Sequence, residues 1–440
     1  MKIIVYPHAM NVGGSQLNAI ELGAAVRDRG HEVAVLGDEG PLAARVEALG
    51  LELVPVSARR RRPSPTVAAK LRRLIRARGI DVVHGYEWPP ALDGAAAVLP
   101  GDRAAAVCTV MSMAVAPFLP ASMPVVVGTR ALQIHTATRR PGPVHLIEPP
   151  VDTVDNAPGH PTGKFRADHG LHADPGEERP LDLIVVSRLA PQLKLEGILT
   201  AIDVVGALAR RRPVRLIIVG DGVARETVEQ RAARANAQAG RRAVVLTGEL
   251  LDPRPAYAAA DIVLGMGGSA LRALAFGRPL IVQGESGFWE LLTPESCDLF
   301  LHQGWYGVGD GTAGGERLHG ILRRLLDDAA LRQTLGAYGR DLVVRRFSLQ
   351  RAALLQEQIY EEAVARRASA REFTAAREYL RALAGVGAHK VRRRVESLRG
   401  SAARDDFNAA TLAVASLRQQ QRQPARQDVV DSGVESGAEG

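Results

Sequence analysis

The sequence predicts an α/β protein built from two doubly wound, Rossmann-like domains in series that face each other across a cleft. Three observations carry this reading. Short β-branched runs alternate with longer Ala-, Leu- and Arg-rich stretches whose apolar residues recur every three or four positions, as in parallel strands covered by helices. The series occurs twice, separated by a Gly-, Pro-, His- and acid-rich break at 155–180. A chain of 440 residues is long for one core and comfortable for two.

In the first series, strands are expected at Ile3–Tyr6, Glu32–Leu36, Leu51–Pro55, Asp81–His84, Ala106–Val110, Pro124–Val127 and Val144–Ile147. Each is short, apolar and bounded by polar, Gly or Pro residues, as strands buried on both faces are. Ser15–Arg29 and Thr66–Arg78 have the helical period. In the second series the expected strands are Leu181–Val186, Val214–Val219, Ala243–Leu246, Asp261–Leu264, Pro279–Val282 and Asp298–Leu301. One amphipathic helix is expected over Phe347–Arg367, then a basic, partly helical stretch over 365–399. The tail at 419–440 has almost no large apolar residues and is expected to be disordered. The expected division is therefore 1–160, 161–345, 346–367, 368–418 and 419–440.

Composition bounds the function. Aromatics make up 4% of the chain, so the cores must be built from Ala, Val, Leu and Ile. The net charge of +8 and pI near 9.8 favour an anionic partner without choosing one, and the use of Arg for nearly all the base fits codon bias. Few aromatics and no recognition module argue against nucleic acid. Cys108 and Cys297 stand far apart, without a disulfide or zinc pattern, as in a reducing compartment. The N-terminus runs straight into the strand-like MKIIVY, so no signal peptide is expected, and no run approaches the ~20 apolar residues of a membrane span. A cytoplasmic protein is expected, with no metal centre and no resident cofactor.

Four segments carry candidate chemistry. Gly13 and Gly14 lie between the first strand and a helix, where a backbone can approach an anion at the helix N-terminus; a plain strand-to-helix turn needs glycine too. Ser187-Arg188-Leu189 and Lys194 follow the first strand of the second series, at the strand end where open α/β sheets bind ligands. Lys194 is the only lysine between Lys164 and Lys390, in a chain that otherwise writes base as Arg. A compact ammonium differs physically from a planar guanidinium. Gly267, Gly268 and Ser269 open a further helix and can form a second anion-accepting nest, with Arg272 one turn on. Asp81–Trp88 places His84 and Glu87 at a strand end that opens towards the cleft, although a lone histidine there is more often structural than catalytic.

The order and spacing of these segments, over roughly 1–365, resemble glycosyltransferase family 4, the large retaining GT-B family. Gly13-Gly14 and Gly30-His31-Glu32-Val33 resemble the family's first loop and second strand entry, and Asp81–His84 its "DVVH". Pro149-Pro150-Val151-Asp152 resembles the interdomain "NGVD". Val186–Lys194 resembles the Arg-Leu…Lys diphosphate motif, and Val219-Gly220-Asp221-Gly222 the "VGDG". Thr247-Gly248-Glu249-Leu250 resembles the turn near the base, and Asp261 with Ala273–Pro279 the "AD…EAxAxGxP" block.

The resemblance implies a GT-B fold, a nucleoside diphosphate sugar as donor, and a sugar, lipid-linked or small-molecule acceptor. It implies that Arg188 and Lys194 bind the diphosphate and stabilise its departing charge without a metal. The last helix would cross back onto the first domain, and cleft closure would exclude water. The chain departs from the family at defined places. Arg272 stands where the second of two glutamates eight residues apart belongs, and the loop holding the first is shortened. Thr109-Val110-Met111 replaces a strand end that carries a catalytic-site His, and the Arg188-to-Lys194 gap is one residue longer. These departures keep a catalytically silent scaffold in view as a second reading; an epimerase is a third. Arg59–Arg62 and Lys390–Arg399 are either solvated charge runs or contacts to anionic lipid at the inner membrane face.

Overall fold

The structure, a computed structural model, describes residues 1–59, 61–98, 103–172, 176, 178–369 and 372–399. The expected disordered tail lies outside these residues.

The first sheet contains β1 (Lys2–Tyr6), β2 (Glu32–Gly37), β3 (Glu52–Pro55), β4 (Val82–Tyr86), β5 (Ala105–Val110), β6 (Val125–Val127) and β7 (Val144–Leu146). Their order is β3-β2-β1-β4-β5-β6-β7, all parallel. The second sheet contains β8 (Leu181–Val186), β9 (Val214–Val219), β10 (Val244–Gly248), β11 (Ile262–Gly265), β12 (Leu280–Gln283) and β13 (Trp289–Leu291), in the order β10-β9-β8-β11-β12-β13. All its pairs are parallel except β12 with β13. Strand order therefore reverses between β1 and β4 in one sheet and between β8 and β11 in the other. A doubly wound sheet opens a crevice at such a reversal, beyond the carboxyl ends of its strands.

Helices cover both faces of each sheet, and strands such as β4 and β9 are buried along their whole length. The helix Pro65–Arg78 shows how the local code works. Ser64 caps it by accepting from the Val67 N–H, Pro65 opens it, and Gly79 closes it with φ 66°. Val67, Leu71 and Ile75 form its buried stripe, each side chain worth about 1.5–3 kcal/mol when removed from water.

Two expectations of the second series change. Asp298–Leu301 is not a strand but part of the helix Cys297–Gln303. Cys297 and Phe300 are buried three residues apart while Leu299 is exposed, which is helical spacing in a run too short to declare its period. The sixth strand is instead β13, three residues with Trp289 and Leu291 inward and Glu290 between them. The helix Leu349–Ser369 packs on the first sheet through Ala352, Ala353, Ile359, Tyr360 and Ala363. The chain's two passages between the sheets run together there. Val151 and Ser348 form a parallel bridge, with Val151 N–H bonded to Phe347 O (2.8 Å) and Leu349 N–H to Val151 O (3.1 Å).

Candidate active site

Several of the sequence candidates fall at the strand ends that flank the two crevices. Gly13-Gly14 follows β1 and Glu87 follows β4, on either side of the first strand reversal; Arg188 follows β8 and Gly267-Gly268 follows β11, on either side of the second.

The Arg188 loop is fixed by its own backbone. Ser187 N–H donates to Val219 O (3.0 Å), Leu189 N–H to Asp221 O (2.8 Å) and Ala224 N–H to Leu189 O (3.0 Å). The neighbouring loop must be glycine to come this close: a Cβ on Gly220 would lie 1.9 Å from Ser187 O, and one on Gly222 2.5 Å from Leu189 O. Arg188 itself is exposed, and Lys194, which opens the helix Leu195–Ala209, is half-buried. Burial, and next the nearby charge of Arg188, pull the Lys194 ammonium down to about 8. Two cations kept close, one of them partly desolvated, form a place that an anion would stabilise.

A set of groups that sequence reasoning did not single out braces Lys194. Glu285, after β12, accepts from Leu193 N–H (3.2 Å) and from the Tyr306 hydroxyl (2.5 Å). Burial and the Glu285 carboxylate push Tyr306 up, keeping it a donor. Glu196 accepts from the N–H groups of Ser286 (3.0 Å) and Gly287 (2.6 Å). Leu193 and Ser286 have positive φ, 65° and 54°, so both loops hold strained backbone where they meet. The signal for Glu285 was present as an acid in a glycine-flanked turn at a strand end.

The glycine loops differ. Gly13 has φ −170°, and a Cβ there would meet only the movable Gln16 amide; at Gly14 it would meet nothing within 4 Å. Neither conformation nor packing within the chain requires these two glycines, which fits the close approach of a ligand. Gly267 has φ 56°, and its N–H is committed to Trp305 O (2.7 Å). Ser269 turns its hydroxyl back to Met266, donating to its O (2.9 Å) and accepting from its N–H (3.2 Å), so this side chain closes the turn instead of facing a ligand. The N–H groups of Gly268 and Ser269 stand in the first turn of the helix Gly268–Ala275, where no intrahelical acceptor exists.

His84 does not reach the cleft. It is fully buried, with Nδ1 2.7 Å from the Tyr360 hydroxyl and Nε2 2.7 Å from Thr109 Oγ1, and burial lowers it to about 3. This neutral imidazole fastens the helix Leu349–Ser369 to β4 and β5. Glu87, at φ 70°, accepts from the N–H groups of Met111 (2.9 Å) and Ser112 (3.1 Å) and from the Ser112 hydroxyl (2.9 Å). It shapes the loop in which Met111 stands. Glu249 is exposed and Leu250 half-buried at the end of β10, beside Gly220, whose N–H donates to Gly248 O (2.8 Å).

An ion pair links the two halves of the site. Arg272 lies 3.9 Å from Glu21, on the helix Gly14–Arg27 of the first domain, and Glu21 also pairs with Arg45 at 3.1 Å. The Arg that replaces a family glutamate thus meets a carboxylate from the facing domain. An anionic ligand would compete for Arg272 and be repelled by Glu21. Glu21→Gln is accordingly expected to tighten nucleoside diphosphate binding about two- to tenfold and Arg272→Ala to weaken it. Titration calorimetry checks this; equal affinities in wild type and both variants would make the pair a bystander.

Residues 12–155 match the family model described as Glycosyltransferase Family 4, and residues 180–304 match Glycosyl transferases group 1. The two matches identify the chain as a glycosyltransferase, similar to family 4 over its first region. Among solved structures it is similar to a glycosyltransferase from Rickettsia africae, at 14% identity and TM-score 0.66, over 82% of this chain and 98% of that one. It is also similar to Anabaena Alr3699/HepE in complex with UDP, at 17% and 0.62, over 82% and 100%. A third is WaaG, a glycosyltransferase involved in lipopolysaccharide biosynthesis, at 16% and 0.53, over 80% and 98%. No curated protein matches the chain. At these identities the likeness is one of fold, and the fold is GT-B. The low identities fit a divergent glycosyltransferase. No helix among the described residues is long and apolar enough to cross a membrane.

Proposed function

We propose that this glycosyltransferase moves a hexosyl group from a nucleoside diphosphate sugar to a sugar, lipid-linked or small-molecule acceptor, with retention of anomeric configuration and without a metal. In the transfer, the bond between the anomeric carbon and the diphosphate oxygen breaks, an acceptor hydroxyl oxygen takes the carbon, and its proton leaves. The pair of cations at the end of β8 carries this reading: Arg188 and Lys194 meet the diphosphate, and their charges offset the negative charge that grows on it. The amides of Gly268 and Ser269 add donors from the second domain. Gly13 and Gly14 let the first domain close on the donor, with 149–151 and 347–349 as the paired hinge. UDP and UDP-glucose bound to Anabaena Alr3699/HepE support a donor of this class. The buried free thiols of Cys108 and Cys297 fit a cytoplasmic setting.

Thermal-shift measurements with UDP, GDP, ADP and TDP test the proposal. One of them is expected to raise Tm, and EDTA is expected to leave both the shift and transfer unchanged. No shift with any of the four would overturn the donor assignment; loss of transfer in EDTA, restored by magnesium, would overturn the metal-free part. A second reading, a scaffold that binds nucleotide without turnover, draws on Met111 and on Arg272 engaged by Glu21. It predicts stabilisation by nucleotide with no release of nucleotide from any sugar donor.

A further inference from the structure

We propose that the helix Glu372–Leu398 docks this protein on an anionic lipid surface. The helix lies outside both regions matched by the family models, 12–155 and 180–304. One face of it is packed. Ala382, Val386 and His389 are buried, and Glu378 accepts from the N–H (2.9 Å) and hydroxyl (2.6 Å) of Ser122. Gly385 permits the close approach, since a Cβ there would lie 2.5 Å from the Cβ of Phe118.

The opposite face is mainly apolar and exposed. Leu380, Leu383, Val391, Val395 and Leu398 are 66%, 37%, 65%, 39% and 82% exposed. At about 100° per residue they fall within roughly 60° of one line along the helix, on the side away from Ala382 and Val386. Cations border this stripe at Arg377, Arg381 and Arg392 on one edge and Lys390 on the other, and the exposed Arg394 stands within it between Leu383 and Leu398. An apolar stripe flanked by cations suits the boundary between lipid headgroups and acyl chains.

The fold adds more positive charge beside it. Lys390 Nζ donates to Arg62 O (2.7 Å), which brings the basic loop of the first domain against this helix, with Arg59 and Arg61 exposed. Arg62 itself turns inward to His8 O. Arg381 and Arg392 also line a groove of about 590 Å³ against Phe118 and Pro120, which gives a headgroup room next to the stripe. A second copy of the chain would set cations against cations along both edges, and a nucleic acid would leave the stripe unused. The charge and the apolar row together select an anionic membrane.

The test is co-sedimentation of the full chain with phosphatidylcholine vesicles, with and without about 30% phosphatidylglycerol. Binding is expected only to the anionic vesicles and is expected to weaken as salt rises. Leu380→Glu with Val391→Glu should abolish it, with the thermal melt and any nucleotide shift unchanged because both positions are exposed. Arg392→Ala with Arg394→Ala should weaken it roughly twentyfold or more, at about fivefold per cation. A wild-type chain that ignores anionic vesicles, or glutamate variants that bind as well as wild type, would overturn the proposal. So would a wild-type dimer that the glutamate pair converts to monomer, since the stripe would then be a self-interface.

Discussion

Replacing Lys194 by alanine is expected to lower the transfer rate by about 10²–10³ and to remove nucleotide-dependent stabilisation, the loss typical when one positioned donor to a developing negative charge is deleted. The effect should be large because the ammonium is held partly out of water, where each charge interaction is stronger than in solution. Lys194→Arg should restore only a small part: a planar guanidinium has a different reach and shape from a compact ammonium, beside loops that Glu285 and Glu196 tie together and that hold strained backbone at Leu193. The pH dependence gives an independent reading. Lys194 is lowered to about 8, chiefly by burial. Between about pH 7, where the terminal phosphate is already ionised, and that value the free protein presents the charged form, so diphosphate affinity should be nearly flat. Above it the free protein must first take up a proton that the complex retains, so affinity should fall about tenfold per pH unit. In Lys194→Ala this step should be absent. Full transfer in the alanine variant, or wild-type affinity that stays flat from about pH 7 to about 9.5, would refute the role of Lys194.

The sequence was most legible where one residue type had one physical reason to be there. Parallel strands buried on both faces must be short apolar runs, so the strands from β1 to β12 could be read from β-branched residues and their Gly and Pro borders. Lys194 stood out because the chain almost never uses lysine. Where the reason is long-range, sequence was silent or misleading. At His84 the sequence favoured a structural role over a cleft one without naming the partner, since Tyr360 arrives 276 residues later. Ser269 looked like a ligand in a nest, but its hydroxyl is used within its own turn. Arg272 read as a bare replacement, because nothing local announced that Glu21, 251 positions earlier on another domain, would face it. Cys297–Gln303 failed for a different reason: in seven residues, an apolar run fits either period.

The largest stability effect is expected at Asp182, far from the strand ends that carry chemistry. This carboxylate is completely buried at the start of β8 and holds three arginines. Arg215 of β9 meets Oδ1 through Nε at 2.9 Å, Arg166 meets Oδ2, and Arg179 stands 3.6 Å from Oδ2. The same arginines tie down the opening of the second domain: Arg215 donates to Leu171 O (2.9 Å) and Arg166 to Ala259 O (2.6 Å). Asp182→Ala would leave the buried Arg215 charge without its counter-ion, which typically costs about 3–5 kcal/mol. In a domain of this size that corresponds to roughly 6–20 °C in the Tm of the second-domain transition. Arg179→Ala removes only the half-exposed edge of the network, where an ion pair is worth about 1 kcal/mol or less. Replacing Asp182 and Arg215 together by apolar residues should cost less than Asp182→Ala alone, because no unpaired charge remains. Nucleotide binding measured well below the transition should be unchanged, since β8 delivers Arg188 from its opposite end. An Asp182→Ala melt within about 2 °C of wild type would show that the buried network does not hold this domain together.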